Sequence, residues 1–131
     1  MSSFVLPITS MITAANVLLM VTLAMLVVHH RIANQVALGG AGIEPLERAI
    51  RAHANLVEYA PLALILLALL ELNGLEAWQL WALGGAFSVA RLLHAHGILS
   101  TTLATRSSGA LFTIILMVAM LGRLLTLAVV G

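Results

Sequence analysis

Long apolar runs, separated by short polar breaks, are the feature that most constrains how this chain folds. A helix needs about 20 mostly apolar residues to cross a bilayer, and the sequence holds four such stretches, at residues 5–32, 45–72, 76–98 and 101–130. Of 131 residues, 62% are hydrophobic and 8% are charged, and the mean hydropathy is +1.12. Soluble domains do not reach such values. We predict an all-α membrane protein whose single domain, residues 1–131, is a four-helix transmembrane bundle.

The breaks between the runs carry signals that start and end helices. The segment "ALGGAGIEP" (37–45) predicts Glu44 as an N-cap and Pro45 as the first residue of the second helix. The "NG" pair at 73–74 favours the left-handed conformation that ends a helix. Gly97 is predicted to close the third helix in the same way.

Arginines set the expected orientation of the bundle. Arg31, Arg48 and Arg51 flank the first loop and Arg106 flanks the third, whereas the second loop has none. The positive-inside rule then places the first and third loops in the cytoplasm and both termini on the other side. The first run lacks a charged leader and a cleavage pattern, so we expect it to remain as a helix.

Charge and cysteine content exclude several functions. The net charge is +1, and the chain has no lysine, no aspartate and no cysteine. A nucleic-acid partner is therefore not expected, nor is a disulfide or a cysteine nucleophile. His29, His30 and His96 lack the spacing of a metal site, so no metal is expected either.

A polar stripe runs along the second predicted helix. At 100° per residue, seven polar side chains fall within a sector of roughly 120°. They are Glu44, Glu47, Arg48, Arg51, Asn55, Glu58 and Tyr59. An ionised side chain at the centre of a bilayer costs at least ~2.5–3.5 kcal/mol, so the stripe is expected to face protein or water.

Two interpretations of the stripe are open at this point. In the first, its charges pair with one another, for example Arg51 with Glu47 or with Glu58. In the second, it lines a polar pocket in which guanidinium, carboxylate and amide groups recognise a zwitterionic, peptide-like ligand. A third possibility, an ion or proton pathway through Glu58 and His94, would also explain charge inside a membrane.

The segment "ERAIRAHANLVEYAP" (47–61) resembles the motif of the MAPEG family, the membrane-associated proteins in eicosanoid and glutathione metabolism. Weaker support comes from "HHRIANQVALGGAG" (29–42) and "ARLLHAHG" (90–97), and the resemblance covers essentially the whole chain. In that family, three four-span subunits form a trimer and bind glutathione between neighbours near the cytoplasmic side. The resemblance therefore implies a homotrimer in a lipid bilayer, expected to be a bacterial inner membrane, with glutathione as co-substrate.

The resemblance also assigns roles to residues. Those expected to contact glutathione are Arg51, Asn55, Glu58, Tyr59, His94, Arg31, His53 and Arg91. Arg31 and His53 would reach the ligand from the adjacent subunit. Arg106 is the expected catalytic residue, which would stabilise the glutathione thiolate; otherwise it is a cytoplasmic anchor. Where the eicosanoid enzymes of the family carry tyrosines in the third helix, this chain has His94 and Ile98, so an eicosanoid substrate is not expected. His94 would also be satisfied as a core histidine bonded to a carbonyl.

The function that the resemblance implies is a membrane-embedded glutathione transferase or peroxidase. It would activate the glutathione thiolate for attack on a lipophilic electrophile or hydroperoxide. The alternative is a non-catalytic binding or scaffold protein that keeps the glutathione or lipid pocket, as one branch of the family does. Far from this site, Arg123 is predicted to pair with Glu71 in a structural role.

Overall fold

A computed structural model describes residues 4–130 of the chain as four helices joined by short loops. The helices are α1 (Pro7–Asn34), α2 (Glu44–Leu72), α3 (Ala77–Leu99) and α4 (Leu103–Val130). Each predicted boundary lies within two residues of the observed one. The four-helix, all-α prediction is confirmed for this part of the chain.

Two predicted helix ends were wrong in detail. The N-cap of α2 is Ile43, and Glu44 and Pro45 are its first two residues. Glu44 forms an ion pair with Arg48 one turn later, so its carboxylate is engaged along the helix and does not cap it. Gly97 does not close α3, because the helix runs on to Leu99.

The helices alternate in direction, so the bundle has two distinct ends. At one end α1 begins, α2 ends, α3 begins and α4 ends; we call it the Glu71 end. The opposite end, where α2 and α4 begin, is the Arg106 end. The pairs α1 with α2, α2 with α3 and α3 with α4 pack side by side. Their shared core is apolar and includes Leu56, Leu67 and Phe87.

Glu71 has a role that the sequence did not reveal. Its carboxylate accepts hydrogen bonds from the backbone N–H groups of Ile8 (3.0 Å) and Thr9 (2.7 Å), in the first turn of α1. The N-cap residue of α1, Leu6, offers no side-chain acceptor, so Glu71 supplies it from the end of α2. The predicted pair of Glu71 with Arg123 is wrong: no ion pair joins them within residues 4–130.

Three helices in the described part of the chain, α1, α2 and α4, are long and apolar enough to cross a membrane. Their outward faces carry large apolar side chains that lie exposed, such as Leu18, Leu62 and Val118. α3 is not among the three, since Arg91, His94 and other polar residues interrupt its apolar sequence. The structure therefore supports a membrane protein with three such helices, and the crossing by α3 stays a prediction.

Candidate functional site

A polar cavity opens at the Arg106 end of the bundle, between the start of α2 and the junction of α3 with α4. Its volume is about 370 Å³, within the range of roughly 300–1,000 Å³ that is typical of small-molecule sites. The residues that line it are Glu44, Glu47, Arg48, Arg51, Gly97, Ile98, Thr101, Leu103 and Arg106. The cavity thus brings together Arg51 and Arg106, which are 55 positions apart in the sequence.

The first two turns of α2 form one wall of this cavity. Glu47 and Arg48 lie three and four residues after Glu44, and Arg51 lies four and three residues after them, which places all four on one face of a helix. Pro45, in the first turn, has the backbone angle of a helix and lacks the N–H that would remain unbonded there. The glycine-rich loop and Pro45 therefore fix where this charged face begins.

Gly97 determines how closely α4 approaches from the other side. A Cβ atom at this position would collide with the backbone of Arg106, 2.6 Å from its Cα. Only glycine lets the two backbones lie this close, and the contact places Arg106 at the cavity rim. The glycine in "HGILSTT" (96–102) was predicted to end α3, but it is needed for the packing of α3 against α4.

Three guanidinium groups and two carboxylates meet in the cavity, and they are not equally engaged. Arg48 pairs with Glu44. Arg51 lies 3.6 Å from Glu58, and 61% and 51% of these two side chains remain exposed. Within residues 4–130 the Arg106 guanidinium has no hydrogen-bond or ion-pair partner. The site therefore offers one unpaired cation and one loosely paired cation to a ligand.

The pairing of Arg51 with Glu58 is one of the two alternatives that the stripe left open. An ion pair this exposed contributes only about 0–1 kcal/mol to stability, so a ligand carboxylate can replace Glu58 beside Arg51 at little cost. The prediction that the whole stripe faces inward is wrong for a single chain. Its residues instead lie in two different environments. Arg51 and Glu58 stay on the outer surface, while Asn55 and Tyr59 are half-buried.

Asn55 and Tyr59 contact Arg91, one of the most buried side chains of the bundle at 2% exposure. The Arg91 Nη2 atom donates a 2.7 Å hydrogen bond to Asn55 Oδ1. Its Cζ atom lies 5.5 Å from the centroid of the Tyr59 ring, in cation–π range. No partner for its Nε atom lies within residues 4–130. Arg91 thus holds two of the predicted glutathione contacts in place.

His94 lies one turn beyond Arg91 and is also buried, at 6% exposure. Its Nδ1 atom is 2.8 Å from the backbone carbonyl oxygen of Arg106. As donor to that carbonyl, the Nδ1–H group fixes the first turn of α4 against α3. His94 therefore has the alternative role predicted for it, that of a core histidine bonded to a carbonyl. The bond links the position of His94 to that of Arg106.

Arg31 and His53 do not join these residues within one chain. Arg31 Nη1 donates a 2.9 Å hydrogen bond to the carbonyl oxygen of Gly39, in the loop between α1 and α2. His53 is half-buried on α2 and lines no part of the cavity. Their separation agrees with the expectation that they act on a neighbouring subunit, which stays a prediction.

Three charged residues of the cavity were not among those expected to contact glutathione, namely Glu44, Glu47 and Arg48. All three belong to the predicted polar stripe, but the family resemblance assigns roles only to the later residues of that stripe. Together with Arg51 and Arg106 they form a set of positive and negative groups. Such a set can bind a small zwitterion through charge-assisted hydrogen bonds, with guanidinium groups on carboxylates and carboxylates on an ammonium group.

Comparison with known proteins identifies the family. A profile described as the MAPEG family matches residues 9–126, from the first turn of α1 to the last turns of α4. The chain is 33% identical over 102 residues to the inner membrane protein YecN of Escherichia coli strain K12, and equally to YecN of Escherichia coli O6:H1 strain CFT073. The alignment covers 78% of this chain and 78% of each relative. No solved structure matches the chain significantly. The chain belongs to the MAPEG family.

Proposed function

We propose that the protein is a glutathione transferase or peroxidase of a bacterial inner membrane, which activates the glutathione thiol for attack on lipophilic electrophiles or hydroperoxides. The observation that carries the proposal is the single cavity in which Arg51 and the unpaired Arg106 meet. Family membership and the name of the relative, an inner membrane protein, support the location.

Glutathione matches the charges of the cavity. It is a tripeptide with two carboxylates, one ammonium group and one thiol. Arg51 supplies a guanidinium group for one carboxylate, and Arg48 supplies one for the other by exchanging its partner Glu44, whose side chain is 74% exposed, for the ligand. Glu47, which forms no ion pair within residues 4–130, is a partner for the ammonium group. Asn55 and Tyr59, held by Arg91, lie next to Arg51 on α2. This leaves Arg106 for the sulfur.

A cation beside the sulfur is what the reaction needs. A thiol of this kind has a pKa of about 8.5 in water, so only a few per cent is thiolate at neutral pH. A guanidinium held against the sulfur favours the thiolate, and each unit by which the pKa falls represents about 1.4 kcal/mol. The thiolate then attacks the electrophile, for example displacing halide from a halogenated aromatic to form a thioether. With a hydroperoxide it attacks the terminal oxygen and releases the alcohol, and a second glutathione converts the resulting sulfenic acid to glutathione disulfide and water. Neither reaction has a covalent step on the protein.

The second substrate would come from the bilayer. Lipophilic electrophiles concentrate in the hydrocarbon, and the exposed apolar faces of the helices let them reach the cavity from the side. We therefore propose a reactive apolar molecule as the second substrate.

A homotrimer with four crossing helices per subunit is part of the proposal. Arg51 and Glu58 lie on the outer surface of one chain, at a level of α2 where lipid contact would be costly. A neighbouring subunit that covers them removes this cost and completes the site, with Arg31 and His53 reaching the ligand from across the interface. The arginine distribution then places the cavity on the cytoplasmic side.

The test is glutathione-dependent turnover of a chromogenic halogenated aromatic by the purified protein, with glutathione binding measured in parallel by calorimetry. We expect Arg106→Ala to lose at least roughly a hundredfold in kcat while binding stays within a few-fold, as is typical when a charge acts in the transition state. Arg51→Ala should raise the Kd for glutathione. The matched control is His96→Ala, an exposed α3 residue outside the cavity, which should behave as wild type.

Each other outcome has a defined meaning. Binding without turnover, on this substrate and on a hydroperoxide, would replace the enzyme with the scaffold protein that one branch of the family represents. If glutathione does not bind, the charges of the α2 stripe serve only internal ion pairs, such as that of Arg51 with Glu58. Equal turnover by Arg106→Ala and wild type would remove Arg106 from the mechanism.

A further inference from the structure

A second groove lies at the opposite, Glu71 end of the bundle, between α3 and α4. Its volume is about 290 Å³. It is lined by Leu75, Trp78, Gln79, Ala82, Leu83, Ala119 and Arg123. None of these residues belongs to the glutathione cavity, which lies at the Arg106 end. The proposed reaction therefore leaves this groove unexplained.

The groove combines apolar walls with one cation at its edge. Leu75, Ala82 and Ala119 give it an apolar lining. Arg123 is exposed, and no carboxylate of residues 4–130 lies within ion-pair range of it. The Gln79 Oε1 atom is buried and has no hydrogen-bond partner in the described part of the chain. An exposed, unpaired cation beside an apolar groove matches a ligand with both polar and apolar parts.

The position of Arg123 indicates the level in the membrane at which this ligand lies. Arg123 follows Arg106 by 17 positions on α4, which corresponds to about 25 Å along a helix. The hydrocarbon core is about 30 Å thick, so the two arginines lie near its opposite boundaries. Trp78, 66% exposed on the rim of the groove, marks the same boundary, where tryptophans collect at the level of lipid headgroups.

We propose that this groove binds a glycerophospholipid, with the phosphate on Arg123 and an acyl chain along the apolar wall between α3 and α4. Charge decides the class of lipid headgroup, because a guanidinium forms strong charge-assisted hydrogen bonds with phosphate oxygens. The Glu76 carboxylate nearby accepts a 2.5 Å hydrogen bond from Trp78 Nε1, so it is engaged with the protein.

The test measures the thermal stability of the purified protein in detergent as dioleoyl phosphatidylglycerol is added. Two probes separate the parts of the ligand: dioleoylglycerol, which has the chains without phosphate, and glycerol phosphate, which has the phosphate without chains. We expect a saturable rise in unfolding temperature with the phospholipid and no comparable rise with either probe. Equal rises with dioleoylglycerol, or with glycerol phosphate, would overturn the proposal.

Variants locate the effect. Arg123→Gln should weaken the apparent lipid affinity roughly tenfold or more, and Arg123→Lys should retain most of it. Ala119→Leu fills the groove and should weaken binding, whereas Ala128→Leu, an exposed alanine on the same helix outside the groove, should match wild type. Wild-type affinity in both Arg123→Gln and Ala119→Leu would refute the site. Turnover at the Arg106 end is not the readout, so this test and that of the proposed function fail independently.

Discussion

Arg91 is a buried cation whose nearest partners are neutral. Its Nη2 atom bonds Asn55 Oδ1 and its guanidinium lies over the Tyr59 ring, yet no carboxylate of residues 4–130 pairs with it. A buried charge is tolerated only where hydrogen bonds replace the lost water. Asn55 therefore has two roles, as a proposed glutathione contact and as the group that keeps Arg91 in place.

Removal of the Asn55 amide should destabilise the bundle through Arg91. We expect Asn55→Ala to lower the free energy of unfolding by about 2 kcal/mol, since a hydrogen bond to a charged group is worth roughly 1.5–3 kcal/mol. In an Arg91→Met background the same substitution should cost much less, because no charge is left unbonded. Unfolding in a denaturing detergent, followed by tryptophan fluorescence, measures both. Equal costs in the two backgrounds would show that the two side chains are not coupled.

His94 is predicted to influence the proposed reaction without contacting the reacting atoms. Its Nδ1 atom holds the carbonyl oxygen of Arg106, so the imidazole sets the start of α4 and with it the Arg106 guanidinium. We expect His94→Phe, which keeps the ring volume and loses the hydrogen bond, to lower kcat with little change in the Kd for glutathione. His94→Asn, which retains a donor, should recover part of the loss. A rise in Kd with unchanged kcat would instead make His94 a direct ligand contact.

At the scale of elements, the packing of α3 against α4 depends on glycines. A Cβ atom on Gly109 would fall 2.5 Å from the backbone N of His94 and 2.7 Å from the carbonyl oxygen of Ala90. These are backbone atoms of a regular helix, which cannot move aside separately. The two helices would have to separate, and the cavity at the Arg106 end lies directly beside this contact.

Gly109→Ala should therefore destabilise the protein by about 1–3 kcal/mol, the usual cost of overpacking. Gly122 is the matched control, because it lies on the same helix and a Cβ there meets nothing within 4 Å. Gly122→Ala should be neutral or stabilising by up to about 1 kcal/mol, as alanine is the better helix former. Similar costs for both variants would mean that close packing of the backbones is not the reason for Gly109.

The elements themselves could be predicted from the sequence, because apolar runs of spanning length leave few places for loops. What the sequence could not give was the partner of each polar side chain. Charge alone suggested that Glu71 pairs with Arg123, yet Glu71 accepts hydrogen bonds from the backbone of α1. Every residue except proline carries such an N–H group, so the sequence does not indicate which of them a carboxylate will bind. The prediction for Gly97 was wrong because a glycine that ends a helix and a glycine that lets a neighbouring helix pack closely cannot be distinguished from the sequence alone.

The site could be predicted where one helix carries it. The residues Arg51, Asn55, Glu58 and Tyr59 share α2, so their spacing alone places them near one another. The link to Arg106 comes from the resemblance, and of these four residues the structure places Arg51 in one cavity with Arg106. The separation of Asn55 and Tyr59 from Arg51 and Glu58 depends on how α3 packs, which no local pattern encodes.

At the scale of the whole molecule, the side of the membrane on which each loop lies tests both the crossing by α3 and the proposed orientation of the cavity. The chain contains no cysteine, so single cysteines can be introduced without background. We expect a membrane-impermeant maleimide, added to intact cells, to label Asn73→Cys and not Leu38→Cys or Ser100→Cys, three exposed loop positions. Labelling of both positions 73 and 100 would mean that α3 does not cross, and labelling of positions 38 and 100 without 73 would invert the proposed orientation.

The bond between Glu71 and the first turn of α1 also bears on how the protein is made. The carboxylate lies 63 and 62 positions after the amides that it binds, so a ribosome that adds 5–20 residues per second exposes those amides for roughly 3–13 s before their acceptor exists. During that interval α1 enters the membrane with its first turn incomplete. Insertion of α2 then finishes α1, so the two helices mature together as a hairpin. A chain interrupted before residue 71 leaves these two donors without the Glu71 acceptor, so the completion of α1 depends on the completion of α2.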